Sequence, residues 1–405
     1  MPPDRPFLPY GRHYIDDEDI DSVTQVLRSD FLTTGPVIEE FEKEFAEVTG
    51  ARYAVAVSSG SAALHLVTLV MDLKPKDVVV VPSTTFLSTA NAVQYVGAKV
   101  FFADVDPENG LLTANTLEQA LMNAGDRVRA VFPVHINGQT VDMNAIAKIA
   151  RAKGFDLVED ACHAIGATYV GPEGSHVPVG SNANSRLSTF SFHPVKTVAM
   201  GEGGAITTND DQLAERLKIL RNVGMTRAPG DFKLISQAFD ASGEPNPWYY
   251  EMIELGYNFR ASALHCSLGL SQLKKLSLFL KKRSALMEHY KMRLEPLGPL
   301  VRPIAAMLDC KPAWHLCAVL IDFDLVEITR ANLMQGLLSR GVGTQVHYIP
   351  VHRQPYYRNL YGEISLPGSD TYYNRILSLP LFHTMTHDDV DYVVDSLVKV
   401  LEGQQ

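Results

Sequence analysis

The chain has 405 residues, of which 46% are hydrophobic and 20% are charged, a composition typical of globular proteins and a length sufficient for two or three cores. Its formal net charge of -10 excludes a general electrostatic attraction to nucleic acid or to an anionic membrane surface. We therefore expect neither nucleic acid nor a membrane as a partner, and no apolar run of the sequence is long enough to span a bilayer.

The early part of the chain, from about residue 50 to residue 210, alternates short apolar runs with longer stretches of helical spacing. The strand candidates are residues 77–81, 99–104, 129–135, 156–160 and 188–192. Several are continuous runs of Val, Leu and Phe, as expected for strands that are buried on both faces of a mostly parallel sheet. Residues 61–73 and 144–153 have helical spacing, so the fold class is predicted to be α/β.

The pattern changes after a long helical stretch from about residue 258 to residue 290. Apparent strands at residues 314–321 and 344–348, and a last helix near residues 388–401, predict a smaller C-terminal α+β domain. We place the boundary near residue 265. Residues 1–265 are then the large domain, and residues 266–405 comprise a linking helix and the small domain. Residues 227–248, rich in Gly, Pro, Asp and Ser, predict a long loop of the kind that is usually functional or mobile.

Four cysteines are scattered along the chain without a CxxC pair or a metal-type spacing, so we expect no metal site. Scattered thiols fit a reducing compartment, and the first residues lack the charged and apolar regions of a signal peptide. These features predict a cytoplasmic protein.

Lys196 follows an apolar strand and precedes a turn with three glycines, Gly201, Gly203 and Gly204. A lysine at such a position becomes a nucleophile when desolvation lowers the pKa of its amine. Ser191 is a candidate donor to a phosphate, and the glycines allow the main chain to approach a cofactor closely. Taken alone, the motif is explained better by a solvated surface lysine.

Asp160 ends another apolar strand, where a carboxylate is costly to bury unless it is paired. A pyridoxal cofactor needs such a partner, because a protonated ring nitrogen makes its ring an electron sink. His163, three residues later, is placed to reach the ring hydroxyl of the cofactor or to stack on its face. A helix N-cap at Asp160 with a packed histidine is an equally good explanation.

A third motif, residues 57–66, joins the apolar run Tyr53–Val57 to a helical pattern. Small and hydroxyl residues at a helix start leave main-chain N–H groups at the positive dipole end, which suits a phosphate. Simple capping by Ser58 or Ser59 is the alternative. Phe86, after the strand at residues 78–81, offers a stacking face, although a core position is its more ordinary role.

In this order the motifs resemble the DegT/DnrJ/StrS-type sugar aminotransferases, which have pyridoxal-phosphate fold type I. The resemblance runs from about Pro9 to Val400 and is carried by residues 28–36, 58–63, 159–166, 191–204 and 255–260. It implies an aspartate-aminotransferase-like large domain with a mostly parallel sheet, a smaller C-terminal α+β domain, and pyridoxal 5′-phosphate as cofactor. Sugar dehydratases that use the same cofactor are disfavoured, because they have histidine at the position of Lys196.

The resemblance assigns catalytic roles to Lys196, which carries the cofactor, and to Asp160, which pairs with its ring nitrogen. The cofactor-binding positions that it implies are Lys196, Asp160, Ser61, Ala62, Phe86, His163, Ser191 and Asn258. In the family the asparagine at the position of Asn258 reaches the phosphate in the neighbouring subunit's site. The resemblance therefore implies a homodimer with shared active sites.

Within the family the motifs at residues 10–12, 247–250 and 345–352 are most similar to the C4 transaminases of pseudaminic acid biosynthesis. This implies transfer of an amino group from L-glutamate to C4 of a UDP-linked 4-keto-6-deoxy-N-acetylhexosamine. The substrate-binding positions implied are Tyr10, Asp30, Phe31, Leu32, Thr33, Ser59, Gln345, Val346, His347 and Tyr348. Departures at residues 58–63 and 135–139 leave the cofactor chemistry intact, and they keep open a C4 or C3 aminotransferase for a different nucleotide keto-sugar. A non-catalytic regulatory member of the same fold is a separate alternative, which predicts a damaged set of cofactor residues, whereas Lys196 and Asp160 are present.

Overall fold

Residues 6–125 and 127–403 are described by a computed structural model. In that part of the chain the strands are β1 Tyr53–Val57, β2 Val78–Pro82, β3 Lys99–Ala103, β4 Val128–Val131, β5 Asp156–Asp160, β6 Thr168–Val170, β7 His176–Pro178, β8 Leu187–Ser191, β9 Gly204–Thr208, β10 Met225–Thr226, β11 Glu251–Met252, β12 Val301–Pro303, β13 Cys310–Lys311, β14 Cys317–Ile321 and β15 Ile376–Leu379. The α-helices are α1 Asp17–Leu27, α2 Pro36–Thr49, α3 Gly60–Val70, α4 Leu87–Tyr95, α5 Ala114–Ala124, α6 Met143–Lys153, α7 Asp211–Arg221, α8 Ile235–Ala238, α9 Ala263–Lys274, α10 Leu276–Leu294, α11 Arg330–Ser339, α12 Pro355–Tyr361, α13 Pro367–Arg375 and α14 His387–Leu401.

A seven-stranded sheet has the order β1-β9-β8-β5-β4-β2-β3. The pairs β2/β3, β2/β4, β4/β5 and β5/β8 are parallel, whereas β9 runs antiparallel to both β8 and β1. Since β1 and β8 both oppose β9, they point in the same direction as the parallel strands. The carboxyl ends of β1, β2, β5 and β8 therefore lie along one edge of the sheet. The predicted α/β class with a mostly parallel sheet is confirmed.

Apolar residues fill both faces of this sheet because helices cover both. On one face α2 packs its phenylalanines on those of β8: the ring of Phe45 lies 5.0 Å from Phe190 and 5.3 Å from Phe192, nearly edge-to-face in both pairs. This geometry is favourable for aromatic pairs. Helix α2 begins with Pro36 in its first turn and ends at Gly50, whose φ of 72° places it in the left-handed region.

A second, antiparallel sheet of order β12-β14-β15 lies near the end of the chain. Helices α10, α11 and α14 contribute to its core, in which Tyr290, Val319, Leu333 and Val393 are fully buried. Helix α14 begins with a capping box between Thr386 and Asp389. The division of the chain at residue 265 remains a proposal.

One predicted element is wrong, and another is helical over most of its length but is divided in two. Residues 344–348 do not form a strand, because Gln345 alone pairs with Ser378 as an isolated bridge and the following residues turn away from the sheet. The long helix expected at residues 258–290 starts only at Ala263, where Ser262 accepts a hydrogen bond from the main-chain N–H of His265. It is then interrupted at Lys275, which ends α9 and precedes α10.

Other strands differ in their ends from the predicted ones, and one was not predicted. The candidate at residues 129–135 ends as β4 at Val131, and beyond it the pairing with β5 continues only as an isolated bridge between Val134 and Asp160. The candidate at residues 314–321 begins as a strand only at Cys317. Strand β9 was not predicted, since its first residue belongs to the glycine turn. In the described part of the chain, no helix is long and apolar enough to cross a membrane.

Candidate active site

The turn between β1 and α3 forms a tight cradle. A Cβ on Gly60 would lie 2.8 Å from the Cβ of Ser191, and a Cβ on Gly204 would lie 2.5 Å from the main chain of Ser59. Only glycine allows this approach of three chain segments. The first N–H groups of α3 have no partner within the helix, and the positive dipole end lies here. The cradle is therefore suited to a phosphate.

Ser59 caps α3, since its Oγ accepts a hydrogen bond of 3.1 Å from the main-chain N–H of Ala62. The helix capping by Ser59, which was the alternative explanation of this motif, is therefore present. It uses one main-chain N–H of the turn, so that the other N–H groups at the start of α3 are still able to bind a phosphate. Ser61 lies at the exposed side, where its Oγ is 2.6 Å from the Oγ of Ser88 on α4. Ser191, the last residue of β8, is half-buried against Gly60. Ser61, Ala62 and Ser191 thus surround the same cradle.

Asp160 is buried at the end of β5 and is oriented by two donors. Its Oδ2 accepts a hydrogen bond of 2.7 Å from Thr89 Oγ1, and its Oδ1 accepts one of 3.2 Å from the main-chain N–H of Cys162. No α-helix starts at Asp160 within the described chain, where residues 161–167 form turns, so the helix-cap explanation is wrong. Thr89, one helical turn after Phe86, was not among the predicted site residues.

Lys196 lies in the loop between β8 and β9, which returns on itself. The main-chain N–H of Met200 donates to Phe192 at 2.9 Å, and that of Lys196 donates to His193 at 2.8 Å. Desolvation lowers the pKa of the Lys196 amine, while Cys162 and Asp160 act in the opposite direction. Lys196 is half-buried, so it differs from a fully solvated surface lysine. A desolvated amine with a lowered pKa is a better nucleophile near neutral pH.

Phe86 and His163 lie on either side of Tyr348. The Phe86 ring is 55% exposed, so its core interpretation is wrong, and its centroid lies 5.9 Å from that of Tyr348. The hydroxyl of Tyr348 is 3.0 Å from His163 Nε2. His163 also packs edge-on against His315, 4.4 Å between centroids, a neighbour for which the sequence held no signal.

Three of the predicted substrate positions, Tyr10, His347 and Tyr348, lie close together. The Tyr10 ring lies 5.4 Å from that of His347, and the next residue, Gly11, approaches the main chain of Val195 beside Lys196. His347 is buried, with its Nδ1 2.8 Å from Ser378 Oγ. Tyr10, His347 and Tyr348 therefore stand close to the lysine loop, although they are far apart in sequence.

The other predicted substrate positions are placed less centrally. Asp30, Phe31, Leu32 and Thr33 form an exposed turn after α1, whose observed contacts are with residues 262 and 263 before α9. Gln345 is exposed, and the Val346 side chain packs against the C-terminal core. Their roles in substrate binding remain proposals.

Asn258 is exposed, and its main chain pairs with Asn222. The next residue, Phe259, accepts a hydrogen bond of 2.8 Å from the N–H of Ser58. The segment of Asn258 therefore lies next to the β1–α3 turn of its own chain, a neighbourhood that the sequence did not indicate.

With this geometry in place, the comparisons identify the family. Residues 13–398 match the model of the DegT/DnrJ/EryC1/StrS aminotransferase family. The chain belongs to this family. Its relatives include the spore coat polysaccharide biosynthesis protein SpsC of Bacillus subtilis (strain 168), which is 37% identical over 400 residues that cover 98% of each chain. The resemblance inferred from the motifs is confirmed.

Solved structures agree with this assignment. PseC of Helicobacter pylori, an aminotransferase involved in the biosynthesis of pseudoaminic acid, superposes with a TM-score of 0.87 at 26% identity, over 98% of this chain and 100% of that one. DesV of S. venezuelae superposes with a TM-score of 0.82 at 30% identity, over 98% of this chain and 99% of that one. The fold is therefore that of the type I pyridoxal-phosphate aminotransferases.

Aminotransferases of this family use pyridoxal 5′-phosphate, and the residues present fit that cofactor. The glycine cradle suits its phosphate, the buried carboxylate of Asp160 suits a protonated ring nitrogen, and the exposed Phe86 offers a stacking face. When bound, the cofactor supplies an electron sink, and Lys196 is the residue whose amine would hold it. Among the described residues, no group of three His, Cys, Asp or Glu side chains is placed to hold a metal ion.

Proposed function

We propose that this aminotransferase moves an amino group from L-glutamate to C4 of a UDP-linked 4-keto-6-deoxy-N-acetylhexosamine. The observation that carries the proposal is that the Lys196 loop, which Gly11 approaches, lies beside the cluster of Tyr10, His347 and Tyr348. The Lys196 amine is desolvated and acts electrostatically on His347, and the nearby Asp160 carboxylate acts on the amine. An aminotransferase needs the amine and the carboxylate, and an uncharged acceptor sugar suits a pocket of neutral aromatic donors. The choice of a sugar as the acceptor is supported by the relatives named above, one of which acts in spore coat polysaccharide biosynthesis and one in pseudoaminic acid biosynthesis.

Each residue then has a defined task. Lys196 holds the cofactor and, once its amine is released, takes the proton from Cα of glutamate and later delivers one to C4 of the sugar. Asp160, oriented by Thr89 and by the Cys162 N–H, holds the proton of the cofactor's ring nitrogen. The N-terminus of α3, with Ser61 and Ser191, binds the phosphate.

A homodimer with shared sites belongs to the same proposal. Large apolar side chains are exposed along one segment: Val223, Leu234, Ile235, Trp248, Tyr250, Met252, Ile253 and Leu255. Two of them, Trp248 and Leu255, are more than 70% exposed, at 73% and 74%. Exposed apolar patches of this kind mark interfaces. This segment leads directly to Asn258, which supports its assignment to the phosphate in the partner's site.

We also propose that the protein works in the cytoplasm, which is supported by its free thiols at Cys162, Cys266, Cys310 and Cys317. A second candidate function is amination of a different nucleotide keto-sugar, at C4 or C3. It is favoured by the relative in spore coat polysaccharide biosynthesis, which is more similar in sequence than PseC is, at 37% against 26% identity.

The test is a panel of UDP-, GDP- and dTDP-linked 4-keto and 3-keto sugars, each incubated with L-glutamate and the cofactor-loaded protein. Products are identified by mass and by NMR, and Lys196→Ala serves as the inactive control. We expect the UDP-linked 4-keto-N-acetylhexosamine to gain an amine at C4. Preferential amination of another nucleotide sugar, or at C3, would replace the first proposal with the second.

A further inference from the structure

The two ring nitrogens of His163 both take part in hydrogen bonds. Its Nδ1 lies 3.4 Å from the main-chain N–H of Asn137, and its Nε2 lies 3.0 Å from the hydroxyl of Tyr348. A neutral imidazole has one donor nitrogen and one acceptor nitrogen. Because a main-chain N–H can only donate, Nδ1 must be the acceptor. Nε2 therefore carries the proton and donates a hydrogen bond to the hydroxyl oxygen of Tyr348.

The environment keeps His163 neutral. A second ring proton on Nδ1 would point at the N–H of Asn137. Burial and the nearby Lys196 amine also lower the pKa of His163 well below its usual value. The Nε2–H tautomer is thus set by geometry and charge together.

The Asn137 main chain is held firmly in this orientation. Its φ of 61° lies in the left-handed region, which is uncommon for a residue other than glycine. The carbonyl of Asn137 accepts a hydrogen bond of 3.1 Å from the N–H of His315, and its side-chain Nδ2 donates to the hydroxyl of Tyr372 at 3.0 Å. A Cβ on the next residue, Gly138, would lie 2.0 Å from the carbonyl oxygen of Ala313. The N–H of Asn137 is therefore unable to swing away from His163.

The hydroxyl proton of Tyr348 remains unused. Its oxygen accepts from His163, and in the described part of the chain His163 is the polar partner of this hydroxyl. Burial and the charge of Asp160 raise the pKa of Tyr348 well above its usual value, so the phenol keeps its proton. The Tyr348 side chain is half-buried, and its hydroxyl hydrogen has no acceptor among the described residues. An acceptor atom on a bound molecule would give the Tyr348 hydroxyl its missing hydrogen-bond partner.

We propose that Tyr348 donates this hydrogen bond to an oxygen of the acceptor sugar, and that His163 and Asn137 are positioning residues that aim it. The inference rests on the proposed function. Most of the proposed cofactor contacts come from the ends of β1, β2, β5 and β8, whereas Tyr348 comes from the segment that Gln345 and His347 anchor to Ser378. That segment stands with Tyr10 at the proposed substrate side, which favours the sugar over the cofactor.

The functional test separates the two half-reactions of Tyr348→Phe in single turnovers, each followed by the visible absorbance of the bound cofactor. We expect the half-reaction with the keto-sugar to fall about 10- to 100-fold in rate over Kd, as for loss of one buried hydrogen bond to substrate. The half-reaction with glutamate should stay within about threefold. Tyr357→Phe is the matched control, since it removes a buried hydroxyl that donates to Asn91 at 2.8 Å, and it should alter neither half-reaction.

An equal loss in both half-reactions of Tyr348→Phe would overturn the inference. So would a changed pH dependence of the visible band in the absence of substrate, because the hydroxyl would then serve the cofactor. An acceptor half-reaction that is present in the wild type and unchanged in Tyr348→Phe refutes the inference alone. A wild type that reacts with glutamate but with no keto-sugar refutes the proposed function.

The positioning step has a readout that requires no turnover. In protein labelled with 15N-histidine and free of substrate, we expect the ring signals of His163 to show the neutral Nε2–H tautomer from pH 8 to pH 5. His163→Gln assigns these signals. Asn137→Gly keeps both the main-chain N–H and the left-handed conformation, and should leave the tautomer unchanged. A neutral Nδ1–H tautomer, or titration near the ordinary pKa of about 6.5, would overturn the assignment.

Discussion

Replacing Thr89 with valine tests how the catalytic carboxylate is oriented. The substitution exchanges a hydroxyl for a methyl group of similar shape. It removes the 2.7 Å hydrogen bond to Asp160 Oδ2 and the 2.8 Å contact between the hydroxyls of Thr89 and Thr85. Thr89 is fully buried, so water has no direct route to replace the lost donor. Among the described residues, the main-chain N–H of Cys162 would remain as the hydrogen-bond donor to Asp160.

The expected size follows from the charge of the acceptor. A hydrogen bond to a charged group contributes about 1.5–3 kcal/mol, which corresponds to roughly a 10- to 150-fold change at about 1.4 kcal/mol per factor of ten. We therefore expect Thr89→Val to lower kcat/KM for glutamate by about one to two orders of magnitude. Thr89→Ser keeps the hydroxyl and loses only a methyl group, so its activity should stay within about fivefold of wild type.

The assay is steady-state turnover with glutamate, together with the visible absorbance of the cofactor-loaded protein and its thermal unfolding. The absorbance shows whether cofactor is still bound, and unfolding shows whether the fold survives. If Thr89→Val matched Thr89→Ser in turnover, the hydroxyl would not orient Asp160 and the reasoning would be refuted. If both variants lost activity together with thermal stability, the role of Thr89 would be packing alone.

The remaining predictions concern attachment, charge, pH and assembly. Borohydride reduction of the loaded protein should leave the pyridoxyl group on Lys196 by peptide mapping, and Lys196→Ala should bind cofactor noncovalently while losing turnover by several orders of magnitude; an adduct on another lysine would contradict this. Asp160→Asn should fold nearly normally but lose most turnover, since it removes the charge that stabilises a protonated ring nitrogen, and near-wild-type rates would show the carboxylate to be only structural. Burial lowers the pKa of His347 to about 3, below its value in the unfolded chain, so below about pH 6.5 the unfolded chain binds a proton that the folded chain does not. This group should therefore reduce the free energy of unfolding by about 2 kcal/mol between pH 7 and pH 5. Urea unfolding at the two pH values measures this loss, which should be smaller in His347→Gln. Mixing equal amounts of inactive Lys196→Ala and Asn258→Asp chains should restore up to about a quarter of the wild-type activity, because about half of the dimers are then mixed and one of the two sites in each carries neither defect. No recovery after proven subunit exchange would mean that Asn258 serves its own chain.

Short-range patterns were sufficient for much of the large domain. Strand Asp156–Asp160 was predicted with its observed ends, and the apolar run noted at Tyr53–Val57 coincides with β1. Each is a short apolar run bounded by polar residues. The order of the motifs along the chain also indicated the family and the cofactor. Both depend on residue types at close spacing, which a sequence records directly.

Long-range contacts decided what the patterns could not. The helix expected through residue 275 breaks there, where the Lys275 ammonium pairs with Asp16 and lies 3.1 Å from Asp19, both near the start of the chain. The strand expected at residues 344–348 has the right propensity, yet the chain turns to bring His347 against Ser378 and Tyr348 against His163. Propensity is weak compared with such tertiary contacts.

The chemistry of the candidate site divides in the same way. The sequence determined which residues carry an amine, a carboxylate and a hydroxyl, and it placed Lys196 and Asp160 at strand ends. Only the tertiary structure decided the partners of these groups, since Thr89 and Asp160 are 71 positions apart and His163 and Tyr348 are 185 apart. Hydrogen bonds act over about 3 Å whatever the separation along the chain, so the proton on His163 and the direction of the Tyr348 hydroxyl follow from the fold.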